Sequence, residues 1–297
     1  VPSLMIIVFG AIYADIVMRV DEFPDPGETV LTKTYSYVPG GKGANQALAA
    51  SRAGQVVLLA GAVGNDAQGV LALTLLQSAG IDLSAVKESS MPTGCSSIFV
   101  NKHAENMICS ASGANMEVRE NQITDQMLKE SEAIVLQCEA PIDECAKLAS
   151  RAKQAGVTVI LNLAPAIYVP DYYLNNVDYL IMNEVEAEFM CNDLNLTDTI
   201  SMATTISQQK QLIVILTQGE KGCALALNGN ISHFPAPKIN AVDTTAAGDT
   251  FIGYVAAGIA SSDFSIESAI QTASKAASIC CTREGSQPSI PFSMELG

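Results

Sequence analysis

Short apolar runs alternate with longer stretches whose apolar residues recur at helical spacing, and this alternation narrows the possible folds more than any other feature of the chain. The runs at 4–9, 56–62, 133–137, 157–163, 179–182, 212–217 and 223–227 are continuously apolar, as strands buried on both faces must be. Helical patterns fall between most of them, at about 43–53, 67–79, 142–155, 184–190, 200–209, 249–260 and 266–281. Such alternation predicts an α/β fold with a mostly parallel sheet covered by helices on both faces. Ligands on these sheets gather at the carboxyl ends of the strands. Two segments, 16–38 and 94–110, break the pattern with period-two patches and a turn signal at Pro24-Asp25-Pro26-Gly27, and they predict extra strands outside the main sheet.

Composition excludes some partners. Sixteen basic against 31 acidic residues leave a formal charge of −15, which speaks against nucleic acid or an anionic membrane surface. An acidic protein can still hold a nucleotide through backbone N–H groups and a divalent metal. The apolar start at 4–9 is too short to span a membrane and lacks the flanks of a secretory leader, so it reads as a first strand. The eight cysteines show no C-x-x-C pair and no zinc-ligand spacing. They read as reduced residues of a cytoplasmic protein.

Two stretches of small residues carry chemistry. Asp243-Thr244-Thr245-Ala246-Ala247-Gly248-Asp249-Thr250 places small residues and a carboxylate where a helical pattern begins. The free N–H groups of a helix's first turn attract anions, and a carboxylate beside a bound phosphate can take a proton from an attacking hydroxyl. The same stretch also reads as a small-residue turn with a capping aspartate. Pro39-Gly40-Gly41-Lys42-Gly43-Ala44-Asn45-Gln46-Ala47 likewise enters a helix. It is not a Walker P-loop, because Ala44 follows Gly43 where that pattern needs lysine. Gly41 allows a close backbone approach, while Lys42 and Asn45 supply donors suited to sugar hydroxyls.

These two motifs, about two hundred residues apart, resemble those of the ribokinase (PfkB-type) family of carbohydrate kinases. The resemblance runs from Ile7-Val8-Phe9-Gly10-Ala11-Ile12-Tyr13-Ala14-Asp15 to Thr282-Arg283-Glu284-Gly285-Ser286-Gln287-Pro288-Ser289. It implies one kinase domain over 1–297, a three-layer α/β/α fold with a small β-sheet lid at about 13–39 and 94–112. It also implies transfer of the γ-phosphate of ATP to a primary hydroxyl, with Asp249 as base and the amides of Ala246, Ala247 and Gly248 as anion hole. Tyr13, Asp15, Gly41, Lys42, Asn45, Glu139 and Asp249 would meet the sugar. Asn183, Glu186, Thr217, Gly219, Gly222, Gly248 and Ser274 would meet ATP, with Glu186 arranging Mg2+ through water. Asn183 and Glu186 equally fit a helix-capping pair. Asp243, Thr245, Cys280, Arg283, Gly285 and Ser289 match a monovalent-cation site, implying K+. The lid implies a homodimer.

One residue departs from the resembled pattern. The family carries asparagine two positions before the aspartate, and here Tyr13 stands there. Its ring either stacks on a substrate face or narrows the pocket, so a fructokinase-like or adenosine kinase-like specificity stands beside ribose. A noncatalytic sugar-binding protein is the reading from another class.

Overall fold

The computed structural model describes residues 5–103, 105–191, 196 and 198–297, so residue 4 of the expected first strand lies outside the described residues. The strands are β1 Met5–Phe9, β2 Tyr13–Arg19, β3 Tyr35–Gly40, β4 Val56–Gly64, β5 Asp82–Ser89, β6 Cys95–Val100, β7 Asn106–Ala111, β8 Ser131–Leu136, β9 Thr158–Asn162, β10 Tyr179–Asn183, β11 Ile213–Thr217, β12 Cys223–Leu227 and β13 Asn230–Phe234. The helices are α1 Lys42–Arg52, α2 Ala67–Ser78, α3 Asp125–Lys129, α4 Ile142–Gln154, α5 Asp171–Leu174, α6 Glu184–Met190, α7 Thr199–Lys210, α8 Ala247–Ile259 and α9 Ile266–Cys281. Nine strands form one sheet in the order β13-β12-β11-β10-β9-β8-β1-β4-β5, parallel except at one edge, where β12 pairs antiparallel with both β11 and β13. From β1 the chain winds outward through β4 to β5, then returns to β8 and winds the other way. The order therefore reverses beside β1, and the crevice for a ligand opens between the carboxyl ends of β1 and β8.

Period-two side-chain direction splits each central strand between two cores. Ile7, Phe9, Leu58, Ile134 and Leu136 pack with residues of α4, α6 and α7, while Ile6, Val8, Leu59, Ala133 and Val135 pack with residues of α1, α8 and α9. All ten are essentially inaccessible to solvent. This double burial explains why the strand runs are continuously apolar. Truncating any of the large ones, Ile134 for instance, would cost roughly 2–5 kcal/mol.

The two segments that broke the alternation make a separate four-stranded sheet, β3-β2-β6-β7, the lid. Its crossings to the main sheet are tied by side chains. Asn115 grips the backbone of Ile12 from both sides, accepting from its N–H and donating to its carbonyl, each at 2.9 Å. Asp66, the N-cap of α2, also accepts from Thr93 N at 2.8 Å and Thr93 Oγ1 at 2.6 Å, fixing the entry to β6.

Two strands escaped the sequence reading, β5 and β13. Both are edges of the main sheet with exposed side chains, so neither presents a continuous apolar run. Among the described residues no helix is long and apolar enough to cross a membrane.

Candidate active site

Small residues bring the two motifs together. At the crossing of α1 and α8, a Cβ on Gly253 would collide with the Cβ of Ala49 and lie 2.7 Å from the Gln46 carbonyl, so the glycine permits this approach. Asp249 lies one turn before Gly253, and Asn45 one turn before Ala49, so the close crossing delivers both polar side chains to each other. Asn45 Nδ2 donates to Asp249 Oδ2 at 2.8 Å, and Gln46 Nε2 donates to Asp249 Oδ1 at 2.9 Å. Burial pushes the Asp249 carboxyl up, against the Lys42 ammonium and these two amide donors, and the net direction is upward.

Helix α8 starts at Ala247, two residues earlier than its sequence pattern suggested, and Ala246 is its N-cap in a left-handed conformation with φ 60. Among the described residues no side chain caps this helix. The expected anion-hole residues Ala246, Ala247 and Gly248 all lie at this terminus, in different hydrogen-bonding states. Ala246 lies outside the helix, and the Ala247 N–H already donates to the Thr244 carbonyl at 3.2 Å. Gly248, in the first turn, is the proposed donor best placed to meet an anion. A Cβ there would meet nothing within 4 Å.

The glycines of the other motif serve packing. Gly41 has φ 94, and a Cβ on it would lie 2.5 Å from the Ala11 carbonyl oxygen. A Cβ on Gly43 would lie 2.6 Å from the Gly10 carbonyl carbon. They seat the start of α1 on the chain leaving β1, a demand that exists without any ligand. Glu139, after β8, accepts from the Lys42 N–H at 3.1 Å and so caps α1, whose own N-cap Gly41 offers no side chain. Burial pushes Glu139 up, with Lys42 opposing. Lys42 itself loses basicity to burial, but Asp249, Glu139 and Glu186 outweigh that and raise it.

Asp15 reaches toward the same crevice from the lid, accepting from Ser96 N at 3.1 Å. A Cβ on Gly40 would collide with its carboxylate, so glycine there makes the room it occupies. Burial again dominates and raises its pKa. Tyr13 is 5% exposed, its ring lying against Gly94, which leaves the phenol packed in the wall rather than free to stack. Burial raises its pKa, with the Ser112 hydroxyl partly offsetting and Glu139 and Asp15 adding to the rise.

The expected nucleotide residues gather at the carboxyl ends of β10 and β11. Asn183 pairs in register with Thr217. Asn183 and Glu186 make a reciprocal cap on α6, Oδ1 accepting from Glu186 N at 2.9 Å and Oε2 accepting from Asn183 N at 2.7 Å. Gly219 and Gly222 follow with φ 56 and φ 97, and a Cβ on Gly222 would strike the Phe234 carbonyl. Ser274 on α9 lies beside the Cys223 thiol, close to this loop. At the cation candidates, Asp243 accepts from Thr245 N at 2.9 Å and from Gly285 N at 3.0 Å. Cys280 Sγ lies 3.0 Å from Ser289 Oγ and donates to the Thr245 carbonyl at 3.6 Å. The Arg283 side chain turns away to Glu295, leaving only its backbone for this cluster. Among the described residues no three His, Cys, Asp or Glu side chains converge on one metal position.

Three amides had been given no role by sequence. Gln137 Nε2 donates to Gln46 Oε1 at 2.8 Å, and Gln46 Nε2 donates to Asn162 Oδ1 at 3.1 Å as well as to Asp249. Gln137 follows β8 and Asn162 ends β9, each a polar residue at the carboxyl end of an apolar run. That position was the one available signal.

The model of the pfkB family of carbohydrate kinases matches residues 3–293. The chain belongs to this family. It is therefore a phosphotransferase with an alcohol as acceptor. It is 36% identical to the ribokinase of Haemophilus influenzae over 295 residues, 97% of this chain and 95% of that protein. Among solved structures, ribokinase from Thermotoga maritima matches with a TM-score of 0.92 at 35% identity, over 99% of this chain and 98% of that one. Arabidopsis thaliana ribokinase complexed with ribose and ATP matches at 0.90 and 29%, over 100% and 98%. Both solved structures thus share the fold described above, as the resemblance had implied.

Proposed function

We propose that the chain phosphorylates D-ribose on its 5-hydroxyl with ATP, Asp249 acting as general base. The observation that carries this reading is a carboxylate in the first turn of an uncapped helix, with both oxygens held by amide donors. The sugar hydroxyl gives its proton to Asp249 as its oxygen bonds to the γ-phosphorus, and the bond to the ADP oxygen breaks. The Gly248 N–H and the α8 dipole offset charge gathering on the transferred group. Asp15, Gly41, Lys42, Asn45 and Glu139 hold the remaining hydroxyls. Asn45 Oδ1 is buried without a partner among the described residues, and a sugar hydroxyl would satisfy it.

The nucleotide lies along Asn183, Thr217, Gly219, Gly222 and Ser274. Mg2+ bound to the phosphates neutralises their charge, and Glu186 would hold its water. That assignment suits a site where, among the described residues, no carboxylate cluster stands ready for a metal. K+ would sit among Asp243, Thr245, Cys280, Arg283, Gly285 and Ser289. Burial opposes ionisation of Asp243, yet the Thr245 and Gly285 donors hold its carboxyl below the usual range, as a cation ligand requires.

The outer face of the lid supports a homodimer through it. Tyr35, Met18, Phe99 and Met107 are cross-strand partners in a row on the face opposite Asp15, and Tyr37 lies beside Ile16 in the next row. Tyr35 is 64% and Met107 49% exposed. A second copy would cover this stripe. We place the protein in the cytoplasm, which suits eight free cysteines.

Tyr13 favours a second reading, a kinase for another sugar or a nucleoside, because a packed phenol narrows the space beside Asp15. An ATP-coupled assay over pentoses, hexoses and nucleosides tests both. Ribose should give the highest kcat/KM; preference for fructose or adenosine would overturn the ribose reading, and undiminished turnover by Asp249→Asn would overturn the base.

A further inference from the structure

The base is held by a chain of amides whose polarity it dictates. An ionised Asp249 accepts only, so Gln46 must point its Nε2 at Oδ1. The Gln46 Oε1 then faces away and demands a donor, which Gln137 Nε2 supplies at 2.8 Å. The second hydrogen of Gln46 Nε2 demands an acceptor, Asn162 Oδ1 at 3.1 Å, and Asn162 Nδ2 is thereby left to the Ile181 carbonyl at 3.3 Å. Gln46, Gln137 and Asn162 are 0, 1 and 5% exposed. They come from α1, from the residue after β8 and from the end of β9, so the orientation of Asp249 is fixed to the rigid centre of the sheet.

The arrangement has a cost that packing alone would not select. Gln137 Oε1 is buried without a partner among the described residues, pressed into the space a Cβ on Gly10 would fill. An apolar side chain of the same length would fill this volume without stranding a carbonyl. The amide is useful for what its nitrogen holds.

We propose that Gln137 and Asn162, acting through Gln46, are positioning residues that lock the rotamer and the ionised form of Asp249. The proposal rests on Asp249 being the base. Three neutral amides achieve this without adding a titrating group. The charged groups facing Asp249 are then Lys42 of α1 and Glu139 beyond β8. Its proton affinity is left to those two and to the amide donors.

Gln137→Met tests the chain at a residue two hydrogen bonds from the base. Expected are a kcat lower by about ten- to a hundred-fold with sugar KM little changed, and an acid limb of the kcat profile moved to higher pH. In the ligand-free protein the carboxyl 13C resonance of Asp249, assigned by its loss in Asp249→Asn, should titrate at higher pH than in wild type. If Gln137→Met melts far below wild type, Asn162→Ser breaks the other arm and takes the same measurements. A folded variant with wild-type kcat and a wild-type carboxyl titration overturns the inference. Turnover surviving Asp249→Asn would instead overturn the base assignment, and the 13C titration would still report whether the amides hold the carboxylate.

Discussion

Gly248→Ala separates fold from chemistry. Gly248 lies in the first turn of α8 and a Cβ there meets no atom within 4 Å, so the folded protein accepts it without repacking. Replacing glycine by alanine inside a helix contributes about 0.5–1 kcal/mol of stability, much of it by restricting the unfolded chain. For a chain of this size that is a rise of roughly 1–4 °C in Tm. The open space beside Gly248 is the space over the helix terminus, where the reading places the transferred phosphate. A methyl group there displaces the anion from its donor, and loss of one such donor costs roughly a hundred- to a thousand-fold in kcat. The expected result is a protein that melts no lower than wild type, by scanning calorimetry, and turns over at least ten-fold more slowly in the coupled ATP assay. Equal or higher Tm with activity within a factor of two or three of wild type would refute the anion site.

Asp249→Asn should abolish turnover while keeping the fold, because Asn45 can flip its amide and offer its unpaired Oδ1 to the new donor. Burial holds the folded-state pKa of Asp249 above its unfolded value, so stability owed to this group falls as pH rises between the two and stays low above. Asp249→Asn should therefore match or exceed the wild-type Tm at pH 8 and lose that advantage toward pH 4; a variant much less stable at pH 8 would contradict the sign. Lys42→Met removes the cation that Asp249, Glu139 and Glu186 share, so it should destabilise more at pH 8 than at pH 5 in thermal melts. Tyr13→Asn should cost about 2–4 kcal/mol by denaturant titration, since it empties a packed wall position, and should change the ranking of sugars by kcat/KM. An unchanged ranking would remove Tyr13 from specificity.

What the sequence made legible follows from how each feature is encoded. Central strands were readable because both faces are buried and their runs are unbroken. β5 and β13 were not, since an edge strand with exposed side chains has no such run. Asn183 and Glu186 announced a helix start through residue type and spacing, and that cap is made. The left-handed turn at Ala246 was hidden because alanine gives no hint of positive φ. Glu139 could be matched to the family, but its bond to the Lys42 N–H joins residues 97 apart, which no local pattern encodes. Gln137 and Asn162 were invisible for the same reason, being single amides whose meaning lies in what the sheet brings beside them.

The helix termini also explain why one place in the crevice suits a phosphate. Helices α1, α6 and α8 all begin at the carboxyl ends of strands or beside them, and each offers a positive end with free N–H groups. Glu139 occupies the start of α1. Glu186, from within its own first turn, occupies the start of α6. Asp249 holds the corresponding position in α8, yet it turns to Asn45 and Gln46 instead of back onto its helix. Were Asp249 to cap α8 as Glu186 caps α6, the helix would repel a phosphate and the base would be spent. The amides that draw Asp249 aside thus leave a helix terminus for the anion while holding the base beside it. One consequence can be measured: weakening those amides should impair ATP binding as well as proton transfer, and Gln46→Leu, with one donor to Asp249 lost, should raise KM for ATP along with lowering kcat. A KM for ATP unchanged in a folded Gln46→Leu protein would separate the two roles and leave the α8 terminus open for some other reason.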